Sequence, residues 1–299
     1  MNVNYLTRSL MFVPAHREHL LDKAIGTDAD VLLLDLEDSC QPSENKVKAR
    51  ENIIRYINAG KFNGRILFPR INERMSGEML KDISALTIDG VKGFMYPKAT
   101  CGEDIYFFGK LLETFECEKG FPIGTFQIIP LIETPGALLK ITDICTACPN
   151  RVVAIAFGHL DYVTELRGRH DKEGRSISMA RAMIAAGARA CGVVPIDTIH
   201  PFDVHDLVDL EKQLNIGKDL GYEGMLVLNP IELPLVHKYY SPSEKEVSDA
   251  KRILHLYQEA EKNGSGVAIM DGTYIGPPIV KQAELVIEKQ KLIDKKLSL

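Results

Sequence analysis

Residues 31–38 read VLLLDLED: four apolar residues running straight into the acids Asp35, Glu37 and Asp38. An unbroken apolar run of this length marks a strand buried on both faces, as in a parallel sheet, rather than one that alternates between core and water. Its chemistry sits at its C-terminal end. The same pattern recurs seven times: SLMFVPA from Ser9, RILFPRIN from Arg65, VKGFMYPK from Val91, FQIIPLIET from Phe126, VVAIAFGHLD from Val152, GVVPIDTI from Gly192 and GMLVLNP from Gly224. Between these runs the sequence predicts helices over 18–25, 43–57, 76–86, 103–115, 136–148, 178–191 and 203–220. Eight strands alternating with helices predict an α/β chain folded as a (β/α)8 TIM barrel. Their converging ends would gather Glu37, Asp38, Arg70, Lys98, Glu133, Asp161 and Asp197 around one mouth. A doubly wound open sheet is the alternative. It fits less well, because no G-x-G-x-x-G follows the first strand and the candidate residues follow many strands rather than one switch point.

The chain has 299 residues, and a barrel of this kind takes about 250. Two domains are expected: the barrel over 1–235 and a C-terminal helical extension over 236–299. In the extension HKYYSP reads as a polar connection, a capped helix starts at Ser243, and a last helix covers about 280–291. A tail of this size buries little core alone, so it is expected to pack on the barrel, on a neighbouring subunit, or over the mouth as a lid.

A net charge of −5 with no basic block argues against nucleic acid as a partner. No run reaches membrane-spanning length, and the N-terminal apolar stretch is too short for a signal sequence. The expectation is a cytoplasmic protein with six free cysteines. Cys145 and Cys148 form a C-x-x-C with no second pair at zinc-site spacing, which favours two half-buried helix residues over a metal or redox pair.

Glu133 and Asp161 end consecutive strands, and two such carboxylates suit Mg2+, which takes few protein ligands and fills its other positions with water or substrate oxygens. Equally, Glu133 could cap the next helix and Asp161 could pair with an arginine. Arg70 is placed to bind a carboxylate or stabilise an enolate oxygen, or to bridge to Glu37 or Asp38. Three acids together need cations nearby or a raised pKa, and Arg8 is a candidate partner. Lys98 can form a Schiff base or, with better support, pair with an anion. His16, His159 and His200 lie near strand ends without a pattern that assigns them a role.

RSLMFVPA, DVLLLDLEDSCQPSENKVKAREN, FPRIN, PLIETPGA and FGHLDY, in that order, resemble the citrate lyase β-subunit-like family of the HpcH/HpaI aldolase superfamily, with its malyl-CoA, β-methylmalyl-CoA and citramalyl-CoA lyases. The resemblance implies Mg2+, or Mn2+ in its place, held by Glu133 and Asp161. It implies Arg70 at the substrate carboxyl or carbonyl, with Asp35, Glu37, Asp38 and Arg8 shaping the site; Lys98 is a candidate substrate contact from its strand-end position alone. It implies reversible carbon–carbon cleavage of a 3-hydroxyacyl-CoA to an acyl-CoA and a 2-oxo acid, in a homotrimer or homohexamer. The alternatives are an aldolase on a free 2-oxo-hydroxy acid and a non-catalytic subunit that works with an acyl-carrier partner. The sequence departs from the family pattern in three places. Met225, Asn229 and Glu232 replace Lys, His and Gln at the eighth strand. Leu160 replaces the first acid of G-x-E-D. Gly276 stands where the lid motif carries its acid. Asp271 either replaces that acid as proton carrier or forms an ordinary turn with Gly272.

Overall fold

The computed structural model describes residues 3–200, 202, 203 and 205–298. The eight apolar runs are strands: β1 (Ser9–Pro14), β2 (Val31–Asp35), β3 (Ile66–Arg70), β4 (Gly93–Tyr96), β5 (Gln127–Ile132), β6 (Ala154–Phe157), β7 (Val194–Asp197) and β8 (Gly224–Val227). They pair in sequence order, all parallel, and β8 closes on β1 through Met225 opposite Ser9. The structure is therefore the expected (β/α)8 barrel, and the open sheet is excluded by that closure. Every residue of β2, β4, β6, β7 and β8 is buried, as unbroken apolar runs require. Closure needs a glycine at the start of β8, since a Cβ at Gly224 would lie 1.8 Å from the Thr7 carbonyl oxygen.

Helices follow most strands: α1 (Glu18–Ile25), α2 (Glu44–Asn58), α3 (Met79–Leu86) and α4 (Gly102–Lys119) in the first half of the barrel. The helix expected over 136–148 is two shorter ones, α5 (Pro135–Leu138) and α6 (Ile141–Thr146). A short helix that the sequence did not suggest, α7 (His159–Glu165), follows β6 at once. Next come α8 (Ser178–Ala190) and α9 (Leu207–Leu220), the latter starting where the Asp206 carboxylate accepts the Asp209 N–H. Residues 237–240, read as connection, are the end of α10 (Leu233–Tyr240), which follows a 3-10 turn (Pro230–Glu232).

The chain divides into two compact units, Thr7–Val236 and a second made of Val3–Leu6 with residues from His237 onward; the division falls inside α10. The second unit holds α11 (Glu244–Lys262), opened by a Ser243–Glu246 capping box, then the antiparallel pair β9 (Ala268–Met270) and β10 (Thr273–Ile275), then α12 (Pro277–Leu297). No helix among the described residues is long and apolar enough to cross a membrane. All six cysteines are free, with Cys145 buried and the Cys148 thiol turned to the Ile105 carbonyl. No group of three His, Cys, Asp or Glu side chains suited to a metal occurs among the described residues.

Candidate active site

Parallel closure brings the C-terminal ends of β2, β3 and β5 to one cavity of about 450 Å³ lined by Asp35, Asp38, Arg70, Glu133 and Asp161. Apolar residues from β1, β5, β6 and β8, and from the segments that follow β6, β7 and β8, complete its wall.

Arg70 ends β3 directly opposite Asp35 in the strand register. Its Nε and Nη2 donate to the two Asp35 oxygens at 2.7 and 2.8 Å. Its Nη1 reaches Asp38 and Glu37, both at 3.2 Å. The guanidinium carbon stands 4.8 Å from the centre of the Phe12 ring, so an aromatic face from β1 fixes its plane. Burial opposes ionisation of Asp35, but the charge of Arg70 and its paired hydrogen bonds outweigh this and hold the carboxyl below its ordinary range. Asp35 also accepts the N–H groups of Glu37 and Ser39, which shapes the turn after β2.

Glu37 is placed differently. Its oxygens lie 3.2 Å from Arg70 Nη1 and from Lys98 Nζ, yet neither receives an aligned hydrogen bond. Burial therefore dominates, and with repulsion from Asp38 it pushes the carboxyl up to about 7 against the pull of both cations. Lys98 is shared between Glu37 and Glu73, each at 3.2 Å. Burial would lower its pKa, but Glu37 and Glu73 more than offset that. Lys98 is thus a charged ammonium, the opposite of what a Schiff-base nucleophile requires.

Glu133 follows β5, is 2% exposed and faces the same cavity. Its one hydrogen bond among the described residues comes from the Lys98 N–H at 2.6 Å. Burial, then repulsion from Glu37, pushes the carboxyl up to about 8, with Asp161 adding to the repulsion. The helix after Glu133 is capped by its neighbour, Thr134 Oγ1 accepting the Ala137 N–H at 3.1 Å with Pro135 in the first turn. That frees Glu133 from a capping role. Asp161 lies in the first turn of α7 and is exposed. No arginine pairs with it among the described residues. Gly158 makes room between them: a Cβ there would lie 2.5 Å from Glu133 Cγ and 2.9 Å from its Oε1.

A buried carboxylate with a raised pKa, no cation in contact among the described residues and a second carboxylate on the same cavity forms a donor set short of positive charge. Glu133 and Asp161 thus fit a hard divalent ion that takes two protein oxygens and leaves its remaining positions to water and ligand.

Two expected residues lie elsewhere. Arg8 precedes β1, and its Nε and Nη2 pair with Asp30, just before β2, at 2.8 Å each. Both belong to the N-terminal ends of parallel strands, so Arg8 closes the base of the barrel and does not reach the acids after β2. Asp271 lies in the second compact unit, in a two-residue turn with Gly272 whose φ values of 51° and 82° suit a type I′ hairpin. Its carboxylate takes both Arg252 guanidinium nitrogens at 2.8 Å. Asp197 likewise has a structural partner, the Arg181 guanidinium of α8. The three histidines near strand ends meet Cys40, Thr198 and Asp209, respectively. His159 lines the cavity, and burial lowers its pKa to about 4.

Sequence reasoning missed Phe12, Gly158 and Lys46. The Lys46 ammonium is buried, donates to the Leu36 and Glu37 carbonyls at 3.2 Å and meets Asn72 Oδ1. It ties the acid-bearing turn to the end of β3. Its signal was the PSENK stretch directly after the second strand. The substituted Asn229 and Glu232 form a capping box on the turn after β8, with Glu232 Oε2 accepting the Leu228 and Asn229 N–H groups at 3.1 and 3.0 Å.

The chain is similar to known proteins over most of its length. The family model described as HpcH/HpaI aldolase/citrate lyase matches residues 8–230. The chain is similar to citrate lyase subunit beta of Haemophilus influenzae, 29% identical over 96% of this chain and 97% of that one. It is similar at 29% identity to an L-malyl-CoA/beta-methylmalyl-CoA lyase of Cereibacter sphaeroides, over 96% of this chain and 95% of that one. Protein CitE from Mycobacterium tuberculosis, solved in complex with magnesium, acetoacetate and coenzyme A, shares the fold with a TM-score of 0.72 at 23% identity, over 96% of this chain and 99% of that one.

Proposed function

Since this chain belongs to the HpcH/HpaI aldolase/citrate lyase family and is a lyase, we propose that it cleaves the carbon–carbon bond of a 3-hydroxyacyl-CoA, releasing an acyl-CoA and a 2-oxo acid, with Mg2+ or Mn2+ as cofactor. The observation that carries this reading is the pairing of buried, charge-deficient Glu133 with Asp161 on the cavity that Arg70 also lines. Both carboxylates would hold the ion. When bound, it supplies Lewis-acid polarisation of the 2-oxo acid's carbonyl and carboxylate oxygens. The Arg70 guanidinium, fixed by Asp35 and by the Phe12 ring, presents positive charge where an enolate oxygen develops. Asp38 on the cavity and Lys98, which pairs with Glu37, would be further substrate contacts, and Glu37 at about 7 would carry a proton at neutral pH. A homotrimer or homohexamer in the cytoplasm belongs to this reading on family membership alone. The test is turnover of malyl-CoA, β-methylmalyl-CoA, citramalyl-CoA and citryl-CoA with Mg2+ and with chelator. Cleavage of none of them would end the reading.

One observation favours a second reading, an aldolase on a free 2-oxo-hydroxy acid. Asp271 is engaged by Arg252 and Gly276 has no side chain, so neither position offers an unpaired carboxylate to move the proton of an acetyl-CoA-type enolate. This reading predicts Mg2+-dependent exchange of solvent deuterium into the methyl group of pyruvate, and absence of exchange counts against it.

A further inference from the structure

The cavity is divided by strand order. Four of its five Asp, Glu and Arg residues come from the first five strands and the turns that follow them: Asp35 and Asp38 at the end of β2, Arg70 from β3 and Glu133 after β5. The segments after the last three strands contribute, beside His159 and Asp161, an apolar rim: Leu160 after β6, Ile199 after β7 and Leu228 after β8. Glu133 and Asp161 lie at the seam, one after β5 and the other after β6.

Two features of this division bear on what enters. First, the lining holds four carboxylates against a single arginine or lysine side chain among the described residues. That arginine, Arg70, is already matched to Asp35, Asp38 and Glu37, and the nearby Lys98 is held by Glu37 and Glu73. One ligand carboxylate can be met at the seam by a bound divalent ion; a second would face uncompensated negative charge. Second, Leu160 and Leu228 remain 41% and 43% exposed on the lining of this cavity. Branched apolar side chains there offer a ligand apolar contact and nothing to hydrogen-bond a carboxylate.

We propose that the 2-oxo acid handled here is a monocarboxylate bearing an alkyl substituent, received by the rim of Leu160, Ile199 and Leu228, rather than a dicarboxylate. This inference rests on the lyase reading above and narrows its substrate. Both leucines act as specificity-determining residues: they reject a distal carboxylate by leaving it unpaired.

The test titrates the full-length protein with 4-methyl-2-oxopentanoate and with oxaloacetate in a calorimeter, with and without Mg2+. The two acids differ in carrying an isopropyl group or a carboxylate of similar size at the same carbon. Mg2+-dependent binding of the alkyl acid, tighter by about tenfold or more, is expected. Leu228→Lys places a cation on the rim and should shift the preference towards oxaloacetate by about tenfold. Leu160→Arg carries the same expectation should the first variant not fold. Mg2+-dependent binding of oxaloacetate as tight as or tighter than the alkyl acid overturns the inference and leaves the lyase reading standing. Binding of neither acid overturns the inference, and turnover of the four thioesters with Mg2+ decides the lyase reading separately.

Discussion

Glu37 and Asp35 are two residues apart and meet the same arginine, yet their protonation is driven in opposite directions. Asp35 receives two aligned hydrogen bonds from Arg70 and stays ionised; Glu37 receives ion-pair contacts without aligned hydrogen bonds and is pushed up to about 7. The folded protein therefore holds a proton on Glu37 that the unfolded chain has released. Stability contributed by this group is complete below the unfolded value of 4.5 and is lost as pH rises through about 7. Glu37→Gln should flatten the pH dependence of stability over that window, which spans roughly 3 kcal/mol for a group shifted this far. Urea unfolding from pH 5 to 8 measures it. Arg70→Lys tests the same cluster from the cation side. An ammonium cannot bridge Asp35, Asp38 and Glu37 at once, so unfolding free energy should fall by about 2–4 kcal/mol and turnover by about 100-fold. Retention of both would show that a point charge suffices.

At the scale of elements, the site depends on how strands end. Thr134, not Glu133, caps the helix after β5, so the acid is free to face the cavity. The turn from β6 into α7 carries Asp161 and passes Glu133 at Gly158. Gly158→Ala would put a methyl group 2.5 Å from Glu133 Cγ, forcing that carboxylate aside. A loss of about tenfold in Mg2+ affinity is expected, together with about 1–3 kcal/mol of stability. Calorimetric titration with Mg2+ alone reads the first and urea denaturation the second; unchanged affinity would show that the turn does not set the position of Glu133. Most elements were legible because apolar runs alternating with amphipathic segments specify buried strands and covering helices. The short helices α7 and α10 were not, since their few turns follow a strand or a 3-10 turn with no polar break to announce them.

At the scale of the whole molecule, the barrel gathers negative charge that it does not neutralise from its own side chains. A divalent cation should therefore stabilise the folded protein. Mg2+ at 100 times its dissociation constant would add about 2.7 kcal/mol, seen as a rise of several degrees in the melting temperature. Glu133→Gln should abolish most of that rise while leaving the metal-free melting temperature within a few degrees of the parent. A full Mg2+ effect in that variant would place the ion elsewhere.

The sequence by itself determined eight buried parallel strands alternating with helices, because unbroken apolar runs must be covered on both faces; the pairing of β8 with β1, which closes the barrel and puts the C-terminal ends at one mouth, was decided by the tertiary structure. The sequence also named most of the residues there: Asp35, Asp38, Arg70, Glu133 and Asp161 all line one cavity. Only the tertiary structure decided which of these acids carry a counterion and which do not. Register places Arg70 against Asp35, whereas Glu133 is enclosed with no cation in contact among the described residues. Folding also assigned Arg8 to Asp30 at the opposite end of the strands and Asp271 to Arg252. Each of these depends on distances between residues far apart in the chain, and a charge in a sequence carries no record of which distant partner will neutralise it.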